Sequence, residues 1–123
     1  MLSYDYVDSD PVVPVRLISP TRSSNQLAFL DTGSDGLAIP RDLWDWLNLG
    51  YEYPVQIQSV TGYSLSYLDY IVIEIFGDRH QITAVRSDDS EILIGKDILD
   101  QYIICYDGIH KKITVKKEDE YES

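Results

Sequence analysis

The chain has 123 residues, enough for one domain with its own core and too few for a cofactor domain beside a substrate domain. Its 44% hydrophobic and 25% charged residues exclude wholesale disorder. Ten Lys and Arg against 21 Asp and Glu give a net charge of −11, which opposes binding to nucleic acids and to anionic membranes. One cysteine, Cys105, leaves no internal disulfide and no cysteine-based zinc cluster, and His80 and His110 make no ligand pattern. No apolar run approaches the ~20 residues of a membrane span. The acidic start lacks the pattern of a signal peptide, so a reducing, cytoplasmic setting is the expectation.

In chain order, residues 1–11 read as a flexible acidic lead-in. Val12 to Ile18 is β-branched and partly alternating, which predicts a strand. After the polar cluster 19–25, Leu27 to Leu30 is a short continuous apolar run, as in a strand buried on both faces. It stops at Asp31-Thr32-Gly33-Ser34-Asp35-Gly36, and Leu37 to Ile39 resumes as strand. Pro40 suits a first helical position, and Arg41 to Leu49 predicts a short helix with Leu43, Trp44 and Leu47 inward and Gly50 as its stop. Trp44 and Trp46 are expected to divide between core and surface.

Val55 to Val60 and Leu65 to Ile75 flank Thr61-Gly62 as a hairpin, and a second hairpin turns at Gly77-Asp78 into Gln81 to Val85. Residues 87–90 form a solvated loop. Ile92-Leu93-Ile94 is another short apolar run, ending at Gly95-Lys96-Asp97 and a helix of one or two turns through Tyr102. Ile103 to Tyr106 and Ile113 to Val115 make a last hairpin, with 117–123 a charged tail. Cys105 reads as an inert core thiol, His80 as solvated, and Asp97 as a helix N-terminal residue. The ten tyrosines read mostly as filling for sheet faces. Many short strands and two short helices predict a mostly-β closed barrel or sandwich over residues 12–116.

The chemistry concentrates in Phe29-Leu30-Asp31-Thr32-Gly33-Ser34. A carboxylate at the end of a buried strand calls for a partner, because burial disfavours its charged form. The glycine two positions on permits a sharp turn and a close backbone approach. Asp31, Gly33, Asp35 and Asp42 also echo the spacing of a calcium loop, but glycine at its third place and Pro40 in its exit helix argue against one, so no metal is expected. No nucleophile motif lies near either histidine, which disfavours Ser/His or Cys/His hydrolysis.

Asp31-Thr32-Gly33-Ser34 after two apolar residues resembles the catalytic loop of the aspartic proteases. Ile92-Leu93-Ile94-Gly95-Lys96-Asp97-Ile98-Leu99, about sixty residues later, resembles the apolar-Gly-basic-Asp segment of their single-domain, retropepsin-like branch. The last hairpin resembles the closing hairpin of retrotransposon-type members. The resemblance covers roughly residues 12–116 and implies a closed acid-protease barrel with one half-site per chain. It further implies a homodimeric endopeptidase without cofactors, in which Asp31 of each subunit meets the other at a two-fold axis. Asp31, Thr32 and Gly33 then take the catalytic positions. Ser34, Asp35, the hairpin tip Val60, Thr61, Gly62 and Tyr63, and Ile94 take substrate-binding ones, against a peptide or protein substrate. The flap lacks the Gly-rich run of the viral enzymes. The rival reading is a retropepsin-like dimerisation or peptide-binding module without turnover, since a fold does not guarantee activity.

Overall fold

In a computed structural model, residues 1–117 are described, and they form ten strands and two short helices. Strand β1 (Leu2–Asp5) alternates half-buried and exposed side chains and pairs antiparallel with β10 (Lys112–Lys116), Tyr4 opposite Ile113. Leu2–Asp5, within the expected lead-in, is therefore strand. Its inward Leu2 and Tyr4 pack on the core, an alternation hidden in the sequence by the aspartates around it. On its other side β10 pairs with β9 (Ile103–Asp107), which completes a three-stranded sheet β1-β10-β9.

The barrel begins with β2 (Val12–Ile18), whose Val13, Val15 and Leu17 point into the core. It pairs with β3 (Ser23–Leu30), so the polar residues 23–25 extend the short strand expected at Leu27. β4 (Leu37–Pro40) follows the Asp31 loop, then α1 (Arg41–Trp46). The helix is shorter than the sequence predicts. It stops before Gly50, where Asn48 adopts φ +58 and the Asn48 amide closes onto the Asp45 carbonyl. Six residues cannot sustain a helix alone. Burial of Trp44, Leu47 and Leu49 holds it on the barrel, each contributing roughly 1.5–3 kcal/mol. Trp46 faces solvent, as the expected division of the two tryptophans requires.

β5 (Tyr53–Ser59) and the long β6 (Gly62–Ile75) form the first hairpin, and β6 with β7 (Asp78–Ser87) the second. The second turns on Phe76 and Gly77, both at positive φ, the geometry that two-residue hairpin loops favour. Phe76 holds that conformation because its ring is buried between Tyr4 and Tyr102, with centroids 6.0 and 4.9 Å away. β8 (Ile92–Ile94) leads into α2 (Lys96–Leu99), which ends before Tyr102. The order β2-β3-β8-β4-β7-β6 closes through pairing of β2 with β6, Leu17 opposite Ile73, so six strands form a barrel and β5 extends from it.

Two expectations are corrected. Cys105 is exposed, because β9 is an edge strand and Cys105 lies opposite Thr114, away from the inward Ile113 and Val115. His80 is half-buried, and its Nε2 lies 2.8 Å from the Tyr102 hydroxyl. That hydroxyl donates to Asp78 Oδ2 at 2.6 Å, and Lys117 Nζ donates to Asp78 Oδ1 at 2.9 Å. Lys117 thus ties the end of β10 to the β6–β7 turn; the rest of the expected tail, 118–123, lies outside the described residues. Among the described residues no helix is long and apolar enough to cross a membrane.

Candidate active site

The Asp31 loop owes its shape to sheet order. β3 and β4 are consecutive in sequence but not neighbours in the sheet, because β8 lies between them. It runs parallel to β3 with Leu30 opposite Ile94, and antiparallel to β4 with Ala38 opposite Leu93. Residues 31–36 therefore arch over the end of β8. Backbone bonds lock the arch. The Asp31 amide donates to the Ile94 carbonyl at 2.9 Å, and the amides of Lys96 and Asp97 donate to the carbonyls of Ser34 and Asp35 at 2.9 and 3.2 Å. The Ser34 hydroxyl donates to the Gly36 carbonyl at 2.7 Å.

The crossing needs glycine on β8's side. A Cβ on Gly95 would lie 2.4 Å from the Gly36 nitrogen and 2.6 Å from its oxygen, which no side chain survives without backbone movement. Gly33 has a different task. Its amide donates to Asp31 Oδ1 at 2.9 Å, orienting the carboxylate, and a Cβ there would stand 3.1 Å from the same oxygen. Asp31 is half-buried, while Thr32 and Gly33 are exposed at the surface of the single chain. Asp97 lies behind the loop, near Gly36, and partial burial raises its carboxyl above the ordinary value.

The three-stranded sheet lies beside this loop. Tyr106 of β9 has its hydroxyl pushed up, first by partial burial and then by nearby Tyr6 and Asp31. On another side, a cavity of about 530 Å³ opens between the loop, the β5–β6 hairpin and residues 85–89. Ser34, Asp35 and Thr61, three of the residues expected to contact substrate, line it. Val60, Gly62 and Tyr63 belong to the hairpin tip but not to the cavity wall. Ile94 is fully buried and touches the site only through its carbonyl; Leu93 faces the cavity in its place. Strand alternation carries that signal, since Ile92 and Ile94 must share a face opposite Leu93. Asp88 and Asp89, in the loop read as merely solvated, also line the cavity. No cluster of side chains able to hold a metal ion occurs among the described residues.

No protein-family model and no curated protein matches this sequence. Among solved structures it is similar to EIAV protease complexed with the inhibitor HBY-793, at 21% identity and a TM-score of 0.62. The match covers 76% of this chain and 88% of that one. The fold is retropepsin-like. At this identity the likeness establishes the architecture, a six-stranded closed barrel with two short helices, and leaves the chemistry to be argued from the residues.

Proposed function

We propose that the protein is an aspartic endopeptidase that becomes complete as a homodimer, with Asp31 of each subunit forming the catalytic pair. The observation that carries this reading is the backbone-locked arch that holds Asp31, with its Oδ1 bonded by the Gly33 amide, while Ser34 and Asp35 of the same arch line a cavity shared with the β5–β6 hairpin. One chain supplies one such carboxylate, and the reaction needs two. Two neighbouring carboxylates share a single proton because both cannot ionise easily at close range. The ionised member takes a proton from water, and the resulting nucleophile attacks the scissile carbonyl. The protonated member donates to that carbonyl oxygen, and proton return to the amine releases the products. The likeness to a retroviral-type protease fold supports the same reading.

The arrangement of the terminal sheet is consistent with pairing of two copies. Its edges are β1 and β9, and β9 carries Tyr106 beside Asp31, so a second chain seated there lies close to the first carboxylate. Exposure of Thr32 and Gly33 in the single chain leaves them free to meet their twins, the resemblance giving Thr32 a bond across the dyad. The β5–β6 hairpin serves as the flap over an extended peptide bound in strand-like fashion.

The test is cleavage of a denatured-protein substrate by the wild type and by Asp31→Asn, with sedimentation of both. We expect the wild type to sediment as a dimer at micromolar concentration and to cleave. The variant is expected to dimerise while losing activity by about 10³-fold or more. A strictly monomeric wild type, or cleavage undiminished in the variant, overturns the proposal. If both dimerise and bind peptide while neither cleaves, the chain is a binding module instead.

A further inference from the structure

The cavity beside the Asp31 loop has two chemically distinct parts. Part of its lining is aliphatic, from Ala38 and Leu93 on the barrel and from Ile57 and Leu65 on the β5–β6 hairpin. Another part is acidic, from Asp35, Asp88 and Asp89. The Asp35 side chain is fully exposed, and that of Asp88 is 75% exposed. Their partners stand outside the cavity wall. Lys96 Nζ is 3.6 Å from Asp35, Arg41 Nε is 2.6 Å from Asp88, and neither cation lines the space. Asp89 meets no cation among the described residues; it bonds only Ser87, whose hydroxyl and Oγ lone pair are 3.3 and 2.8 Å from its carboxylate and amide.

The one basic residue in the wall is Arg86, and its charge is turned elsewhere. Its guanidinium lies over the rings of Tyr51 and Tyr67, 5.5 and 5.9 Å from their centroids, and neither ring belongs to the cavity. The space thus joins aliphatic side chains to three carboxylates, of which Asp35 and Asp88 meet cations standing outside the wall and Asp89 meets none among the described residues. A concave site with low-dielectric walls focuses such a field.

We infer that this cavity selects a lysine or arginine side chain of an extended peptide, its methylene stem against the aliphatic lining and its cationic head among Asp35, Asp88 and Asp89. A purely aliphatic side chain satisfies the apolar lining and leaves the carboxylates solvated. An acidic one is repelled. Only a long, amphipathic cation meets both parts at once. The net charge of −11 acts in the same direction at long range, drawing basic segments toward the protein. This inference rests on the peptidase reading for the identity of the cleft, but it concerns which side chain the cleft accepts.

The experiment uses the Asp31→Asn protein, so that binding is read without turnover. Capped octapeptide pools, randomised over uncharged residues, carry lysine, norleucine or glutamate fixed at each position in turn. Binding is followed by fluorescence anisotropy. At one position we expect the lysine pool to bind about fivefold tighter than norleucine, which has the stem without the charge, and glutamate to bind weakest. The preference for lysine should collapse in about 0.5 M NaCl, where charges at a surface are screened. It should also collapse in Asp88→Asn combined with Asp89→Asn, whose fold is checked by circular dichroism. Equal binding of the lysine and norleucine pools at every position overturns the inference and leaves the peptidase reading intact. So does a preference that survives both salt and the double substitution. Failure of every pool to bind overturns the peptide cleft itself, and this inference with it.

Discussion

The Asp31 arch and the β5–β6 hairpin tip lie on opposite sides of one cavity and are built by opposite means. The arch is bonded to its surroundings through main-chain amides and carbonyls of Ile94, Lys96 and Asp97, and it passes Gly95 at a separation no side chain permits. The tip has Val60 fully exposed and Tyr63 at 69% exposure, so it buries little that would hold it down. A pair of carboxylates needs fixed geometry, because small misplacements forfeit the shared proton. A cover needs the reverse, since it must open at small free-energy cost. On the proposed reading the contrast divides the work: backbone bonding would fix the carboxylate, and sparse burial would leave the hairpin free to open.

The largest effect expected is at the crossing. Gly95→Ala places a methyl group against the Gly36 backbone and should destabilise the fold by about 3 kcal/mol in urea titration. An unchanged midpoint would show that the arch and β8 separate easily, which breaks the contrast. A smaller effect is expected where the terminal sheet is pinned to the barrel. The Tyr102 hydroxyl, and then Lys117, hold the Asp78 carboxyl below its ordinary value. A lowered folded-state value means stabilisation that is full above the unfolded carboxylate range and lost as pH falls through the folded value. Both partners are partly exposed, so Asp78→Asn should cost about 1 kcal/mol at pH 7. Its difference from wild type should shrink as the pH is taken below the ordinary carboxylate range, as urea titrations at neutral and acidic pH will show. A difference independent of pH would assign the effect to packing.

The smallest effect is expected at the tip. Val60→Ser should change stability by less than about 0.5 kcal/mol, because the side chain is in water in the folded chain. Amide exchange there should be fast in both proteins while the Asp31 and Ser34 amides remain protected. A loss above 1 kcal/mol would show a packed tip and count against a hairpin that opens freely.

Much of this was legible in the residues. Alternation in Val12–Ile18, the apolar runs before Asp31 and Gly95, and the two hairpin turns locate most strands, and the paired motifs predict the barrel that the structure has. Local patterns failed where a neighbouring strand decided the outcome. Leu2–Asp5 looked like a lead-in because β10, its partner, lies over a hundred residues away in sequence. Cys105 looked like core because an edge strand has the same apolar composition as a central one. Ile94 looked like a substrate contact because a three-residue run does not reveal which face meets the cavity.

By itself, then, the sequence determined most of the elements and singled out Asp31 as the candidate group, since helix and strand periodicity and the Asp-Thr-Gly turn depend on residues near one another in the chain. Only the tertiary structure decided that β8 enters between β3 and β4, that Gly36 and Gly95 touch, and that Asp88 and Asp89 join Asp35 around one space. Those relations follow from which strands exchange hydrogen bonds across large sequence separations, and local composition carries no record of that choice.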